Sequence, residues 1–328
     1  MKLFDGFNLA FRKARGKMSG APQDLGIGVD NNIRSRSSTN YRVLQALGAG
    51  GNSTVYLVLA TDKDYKGVLF ALKVFTRVSN SERKEKFLQE TEFLRNDCRH
   101  PAIMRIYDEG EYVPDKDETK AYPFVVAEYL PRTLADASTS PLSNAELLSC
   151  SLQLLSALAY LESRNPPVIH RDIKPKNIFV KGRSYVLGDF GLMKFATDAT
   201  ERDREYYVES THGMPFYYRT PDLVEYAKLG PKAPLTTKSD VFQLGLVLAE
   251  LFTGKNPERK ASSRTDPVLL DEIGQVPGAR GSDIRELINH MLEADADKRP
   301  KAADLMDGWD GFFRETVLLS HELNGRVF

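Results

Sequence analysis

The chain has 328 residues, with 45 lysines and arginines balanced by 45 aspartates and glutamates, and only two cysteines. Balanced charge leaves no global electrostatic footprint for nucleic acid, so no nucleic-acid partner is expected. Cys98 and Cys150 are too few for a disulfide scaffold and fit a reducing, cytoplasmic setting, and no His/Cys spacing reads as a metal-ligand cluster.

At the start, Phe4, Phe7, Phe11, Ala14 and Met18 recur at alternating steps of three and four, with Lys2, Arg12, Lys13, Arg15 and Lys17 mostly on the other side. This is the pattern of a basic amphipathic helix, and a partner, the rest of the chain or an anionic membrane surface could each receive residues 1–18. Gly6 and Gly16 each weaken such a helix by roughly 1 kcal/mol relative to alanine. Its apolar residues are not contiguous, which argues against a secretion signal. Ala21 to Thr39, rich in glycine, asparagine and serine, reads as a linker, which makes residues 1–39 an extension.

From Asn40 to about Glu128, short strand-like runs alternate with one helix. Leu47 to Val58, LGAGGNSTVYLV, is a glycine-rich turn between apolar runs; glycines let backbone N–H groups approach a phosphate, although such a hairpin is by itself more often just a turn. In Phe70-Ala71-Leu72-Lys73-Val74 one lysine interrupts apolar neighbours, and without context it reads as an exposed edge-strand residue. Glu82 to Arg95 reads as a helix, with Phe87, Glu90, Thr91 and Leu94 at helical spacing. Pro123 to Leu130, PFVVAEYL, is a further strand.

Leu142 to Ser163 has helical spacing, its pairs Leu147/Leu148, Leu154/Leu155 and Leu158/Leu161 being core residues. Everything after Lys238 is helical too. The apolar patch Val241 to Phe252 is broken by Gln243 and Glu250, so it reads as a core helix and no membrane span. Trp309, Phe312 and Phe313 are further core positions. His100, His212, His290 and His321 show no ligand spacing.

The most informative stretch is Val168 to Val180, VIHRDIKPKNIFV, followed nine residues later by Asp189-Phe190-Gly191. Apolar runs flank a charged turn, as expected for a polar loop held on the rim of a core. A migrating phosphoryl group carries several negative charges through a loose transition state, so its catalysis is mostly positioning and electrostatic neutralisation. Asp172 can accept or orient the proton of an attacking hydroxyl, Lys174 can neutralise the phosphate, and Asn177 with Asp189 can offer oxygens to Mg2+.

In these motifs, and in their order, the chain resembles the eukaryotic-type serine/threonine protein kinase family over roughly four-fifths of its length. The resemblance implies an α+β, two-lobed fold: a small β-rich N-lobe with one regulatory helix at 40–128, a larger mainly helical C-lobe at 129–315, and a tail at 316–328. It implies an ATP-dependent enzyme that transfers the γ-phosphate to serine or threonine hydroxyls of protein substrates, itself included by autophosphorylation, with ATP and Mg2+, or Mn2+ in its place, held in a cleft between lobes. Two alternatives stand beside it: a pseudokinase scaffold that binds nucleotide without phosphotransfer, and a small-molecule kinase of related fold.

Residue by residue, the resemblance places Asp172, Lys174, Asn177, Lys73 and Glu90 in catalysis, with Glu92 competing for the place of Glu90 because the connection to His100 carries an extra residue around Asp97-Cys98. Leu47, Gly48, Gly50, Val55, Ala71, Lys73, Ala127, Glu128, Leu130 and Phe179 would line the nucleotide site, and Asn177 and Asp189 would hold the metal. Ser53 stands where the family has a third glycine, and Ala127 is small for the rear of the adenine pocket. Asp189 to Asp222 resembles an activation segment; Asp222 would pair with Arg299, and Asp240 would brace the catalytic loop. Arg171 would bind a phosphate on that segment, with Thr197, Thr200, Ser210 and Thr211 as acceptors. The family's threonine after Gly213 is missing, and either Met214 or Pro215 stands in its place.

Overall fold

The structure, a computed structural model, describes residues 25–50, 52–115, 118–137, 142–197, 200–209, 216–233 and 235–324. The amphipathic segment 1–18 and Ser210, Thr211, Gly213, Met214 and Pro215 lie outside the described residues. The chain divides into two units, one made of residues up to Thr91 together with Ile106–Tyr129, the other of Glu92–Arg105 together with everything from Leu130.

The first unit is built on a six-stranded antiparallel sheet, β1 (Asn32–Arg34), β2 (Asn40–Ala49), β3 (Ser53–Ala60), β4 (Leu69–Phe75), β5 (Ile106–Tyr112) and β6 (Tyr122–Glu128), in the spatial order β1-β2-β3-β4-β6-β5. Because strand side chains alternate between faces, Tyr56 and Val58 of β3, Phe70, Leu72 and Val74 of β4, and Phe124 and Val126 of β6 share one face and form the core with Tyr41 and Val43. The helix α1 (Ser81–Glu92) buries Phe87, Glu90 and Thr91, and Phe87 stacks on Phe75 with ring centroids 5.3 Å apart.

Residues 25–39 are not a linker. Asn32, Ile33 and Arg34 pair with Arg42, Tyr41 and Asn40, and Leu25 and Ile33 are 4% and 2% exposed within the same core. Asp108, buried on β5, accepts hydrogen bonds from the hydroxyls of Ser35 (2.6 Å), Ser37 (2.5 Å) and Tyr41 (3.2 Å). Apolar residues this sparse give no strand signal, and a three-residue edge strand is held mostly by what it pairs with.

The second unit is mainly helical: α2 (Leu134–Ala137), α3 (Asn144–Glu162), α4 (Glu201–Glu209), α5 (Pro221–Leu229), α6 (Lys238–Thr253), α7 (Gly281–Met291) and α8 (Ala302–Asn324). Two small hairpin-like sheets join β7 (Val168–Ile169) to β10 (Lys194–Phe195) and β8 (Ile178–Lys181) to β9 (Ser184–Leu187). Helix α3 begins with a capping box in which the Ser143 hydroxyl accepts from the Glu146 amide and the Glu146 carboxylate accepts from the Ser143 amide, satisfying donors that the first turn otherwise leaves open. Both α6 and α8 pack on α3, and Trp309 is fully buried with its ring 5.8 Å from that of Phe252.

Two boundaries differ from the sequence reading. Helix α8 continues to Asn324, so the tail expected from residue 316 begins inside the last helix. At the other end of the unit, Phe93–Asp97 form a single π-helical turn, and this wider turn absorbs the surplus residue expected near Asp97-Cys98. Cys98 and Cys150 are both buried free thiols, and burial pushes the Cys98 thiol up to about 12. Among the described residues, no helix is long and apolar enough to cross a membrane.

Candidate active site

In the first unit the β3, β4 and β6 ladders put Val55 beside Lys73 and Lys73 beside Val125, and likewise Leu57 beside Ala71 and Ala71 beside Ala127. These six residues therefore share the sheet face opposite the core. Among these six the cation is Lys73, and its Nζ lies 3.4 Å from Glu90 Oε1. Glu92 is exposed, so the choice between the two glutamates falls to Glu90 as the partner of Lys73.

Leu47 and Gly48 lie on β2, with Gly48 opposite Val55. The turn closes through a 2.7 Å bond from the Gly50 amide to the Ser53 carbonyl. A Cβ added at Gly48 would meet nothing within 4 Å, so internal packing does not demand glycine there, and the open backbone is free for an outside group. Glu128 ends β6.

In the second unit, Leu130 is half-buried and Phe179 lies on β8 opposite Val186. The loop from His170 to Asn177 gathers three of the expected residues around one carboxylate. Lys174 Nζ lies 2.7 and 2.8 Å from the two oxygens of Asp172. Asn177 Nδ2 donates to Asp172 Oδ2 at 2.8 Å and to the Asp172 carbonyl at 2.9 Å. Both amide hydrogens of Asn177 are thereby committed to Asp172, which leaves its side-chain carbonyl oxygen outside these bonds. Burial pushes the Asp172 carboxyl up to about 6, Lys174 pulls it down, and the nearby Asp189 charge pushes it up again.

Asp189 is exposed between the buried Gly188 and Phe190 and has a left-handed backbone, φ 56°, a conformation that aspartate tolerates better than most residues. A Cβ at Gly188 would sit 2.9 Å from both Met104 Cε and Phe179 Cε2, so the approach to Asp189 has to be glycine. The Phe190 ring packs at 4.5 Å from His170 and 6.3 Å from Phe93. His170 Nε2 donates to the Gly188 carbonyl at 3.1 Å while its Nδ1 accepts from the Asp172 amide at 3.2 Å; burial lowers its pKa to about 4, which keeps it the neutral tautomer these two bonds require.

Helix α6 supports the loop from beneath. Asp240 accepts from the His170 and Arg171 amides at 2.7 and 2.9 Å, as the sequence expectation had it. Asp222 pairs with Arg299 at 3.0 Å; its short side chain is met by the Ser239 hydroxyl, which donates to its other oxygen, and Arg299 also donates to the Lys238 carbonyl at 2.7 Å.

Arg171 is the clear correction. Its guanidinium is fully buried and already holds a carboxylate of the chain itself: Nη1 and Nη2 lie 2.8 and 3.1 Å from the two oxygens of Asp203 on α4. Lys194 Nζ stands 3.6 Å from the same carboxylate and the Tyr226 hydroxyl donates to it at 2.7 Å. The anion expected from a phosphate is thus an aspartate. Of the expected acceptors, Thr197 and Thr200 are described; the Thr200 hydroxyl accepts from the Asp203 amide at 3.1 Å and starts α4.

Sequence reasoning missed Asp203, Lys194, His170, Gln243 and the fully buried pair Arg219–Glu258, whose charged atoms are 2.7 Å apart. For His170 a signal existed, since it adjoins Arg171 in the charged turn; the others meet their partners only through the fold.

Residues 41–309 match the family described as protein kinase domain. The probable serine/threonine-protein kinase PBL8 of Arabidopsis thaliana is 31% identical over 236 residues, covering 71% of this chain and 54% of that relative. The serine/threonine-protein kinase PrkC of Bacillus subtilis is 32% identical over 229 residues, 69% of this chain and 32% of the relative. The serine/threonine-protein kinase WNK of Caenorhabditis elegans is 28% identical over 302 residues, 87% of this chain and 15% of the relative. The matched stretches thus span about half or less of these relatives. With the β-rich unit carrying Lys73 and Glu90, the helical unit carrying Asp172, Asn177 and Asp189, and a family match over most of its length, the chain belongs to the protein kinase domain family.

Proposed function

We propose that the chain transfers the γ-phosphate of ATP to serine or threonine hydroxyls of proteins, itself among them, with Mg2+ as the assisting cation. The observation that carries this reading is the set around Asp172: a buried carboxylate bracketed by Lys174 and Asn177 within 2.9 Å. Asp172 accepts the proton of the attacking hydroxyl, and Lys174 neutralises charge on the migrating phosphoryl group. Lys73, held by Glu90, meets the phosphates that stay behind.

The donor set fits Mg2+. Asp189 is exposed and offers a carboxylate, and Asn177 offers a carbonyl oxygen not used in its bonds to Asp172; both are hard donors, and Mg2+ is usually held by one or two such protein groups with substrate phosphates and water completing the shell. When bound there it would neutralise phosphate charge. Serine or threonine as acceptor is supported by Lys174 beside Asp172 and by the similarity to relatives named serine/threonine-protein kinases.

Labelled ATP with Mg2+, a generic protein substrate and Asp189→Asn as control test the reading. Label on protein, lost in the variant, is the expected result. Nucleotide binding without label would instead make the chain a nucleotide-binding scaffold, and label on small molecules alone would move it to another substrate class.

A further inference from the structure

Helix α6 carries a second polar side chain facing the catalytic loop, one turn after Asp240. Gln243 is completely buried in an otherwise apolar stretch, and every polar atom of its amide has a partner. Its Oε1 accepts from the Ile173 amide at 2.9 Å. Its Nε2 donates to the Arg171 carbonyl at 3.2 Å and to the Tyr218 carbonyl at 2.8 Å. One donor and two acceptors on the backbone side leave only one orientation of the amide that satisfies all three.

These partners have specific places. Arg171 and Ile173 are the residues on either side of Asp172, and Tyr218 lies four residues before Asp222 at the end of the activation segment. Arg171 and Tyr218 are moreover both left-handed, with φ 67° and 64°, a conformation that is unfavourable for a side-chain-bearing residue and persists only where its surroundings impose it. One Nε2 holds the carbonyls of both. Asp240 fixes the two amides before Asp172, and Gln243 fixes the groups flanking it. The sequence Gly213-Met214-Pro215-Phe216-Tyr217 contains no serine or threonine whose hydroxyl could join the segment to the loop.

We propose that Gln243 is a positioning residue for phosphotransfer: its amide clamps the backbone around Asp172 to the end of the activation segment. The proposal rests on the phosphotransfer reading given above. Gln243 does not itself touch substrate; it sets where the Asp172 carboxylate stands when the acceptor hydroxyl arrives. Reaction geometry is sensitive to such placement, and a misplacement of about 1 Å costs up to roughly 100-fold in rate.

The test compares wild type with Gln243→Met, which keeps the length and removes all three bonds, and Gln243→Glu, which keeps the acceptor for Ile173 and removes both donors. For each, kcat, the KM for ATP, the KM for a generic protein substrate, the melting temperature and the hydrogen exchange of the Ile173 amide are measured. The expected result is kcat lower by about 10- to 100-fold with the KM for ATP unchanged, and faster exchange at Ile173. A variant that turns over at wild-type kcat overturns the proposal, as does a loss of kcat matched by an equal loss of ATP affinity, the sign of general unfolding. Should the wild type transfer no phosphate at all, the phosphotransfer reading falls. Exchange at Ile173 then decides the clamp alone: unchanged exchange in Gln243→Met refutes it.

Discussion

Asp172 shows how burial and a neighbouring cation set a working range of pH. Its carboxyl is raised from 3.8 to about 6 in the folded chain, so the stability it contributes is fully present below the unfolded value and is lost as pH rises through about 6. Proton acceptance needs the ionised form, so activity runs the opposite way. The expected kcat–pH profile falls on the acid side with a midpoint near 6, and Lys174→Met moves that midpoint upward because the cation that pulls the carboxyl down is gone. A profile flat down to pH 5 (roughly one unit below that midpoint) would deny Asp172 this role.

Lys73 and Glu90 illustrate a contact whose value lies outside stability. At 3.4 Å, with side chains 23% and 10% exposed, the pair is largely taken out of water, and the cost of that desolvation offsets much of its Coulombic gain. Glu90→Gln is therefore expected to leave the thermal midpoint nearly unchanged while kcat/KM for ATP drops by about 10-fold, the scale of a lost charge-assisted contact. Steady-state kinetics beside a melting curve separate the two effects. Both residues were legible through the resemblance to the kinase family, which singles out the lysine of an apolar strand and a glutamate of the helical repeat that follows. Gln243 was not; in one dimension it only interrupts an apolar patch, and its three partners lie 70, 72 and 25 residues away.

Among the elements, α4 was invisible to periodicity. Its nine residues, ERDREYYVE, are mostly charged, and it stands because Asp203 and Tyr207 are buried against groups far off in sequence. Asp203 is its anchor, 2% exposed between Arg171 and Lys194. Asp203→Asn would leave two buried cations without their counter-charge, and removing one partner of a buried pair destabilises by about 3–5 kcal/mol. The expected outcome is a lower urea midpoint together with faster proteolytic cleavage within residues 201–209. Because a carboxylate already fills the place expected for phosphate, alanine at Thr197, Ser210 and Thr211 together is expected to leave activity within about twofold of wild type, the spread of a substitution that breaks no specific interaction. A loss beyond 10-fold (about 1.4 kcal/mol) would restore phosphorylation to the account. The strands β3, β4 and β6 were legible for the opposite reason: alternation gives each a buried face wherever it is paired.

For the whole molecule, the division into a β-rich unit and a helical one was readable from the switch of period along the chain. Where the fold begins was not. Leu25 and Ile33 complete the first unit's core, and Ser35 and Ser37 satisfy the buried Asp108. A chain starting at Asn40 loses two buried side chains worth roughly 1.5–3 kcal/mol each and leaves Asp108 short of two donors. Its melting temperature is expected to fall well below that of a chain starting at Leu25. Equal melting of the two would show that β1 adds nothing to the unit.

Arg219 carries its own consequence. Besides Glu258, its guanidinium donates to the carbonyls of Arg264 and Asp266 at 3.1 and 2.8 Å, so one side chain from the end of the activation segment staples down an irregular loop that follows α6. Whatever loosens the segment at that point also frees the loop. Nicking by a protease near residues 263–266 then becomes a distant gauge of the segment's state, readable on a gel without substrate or nucleotide.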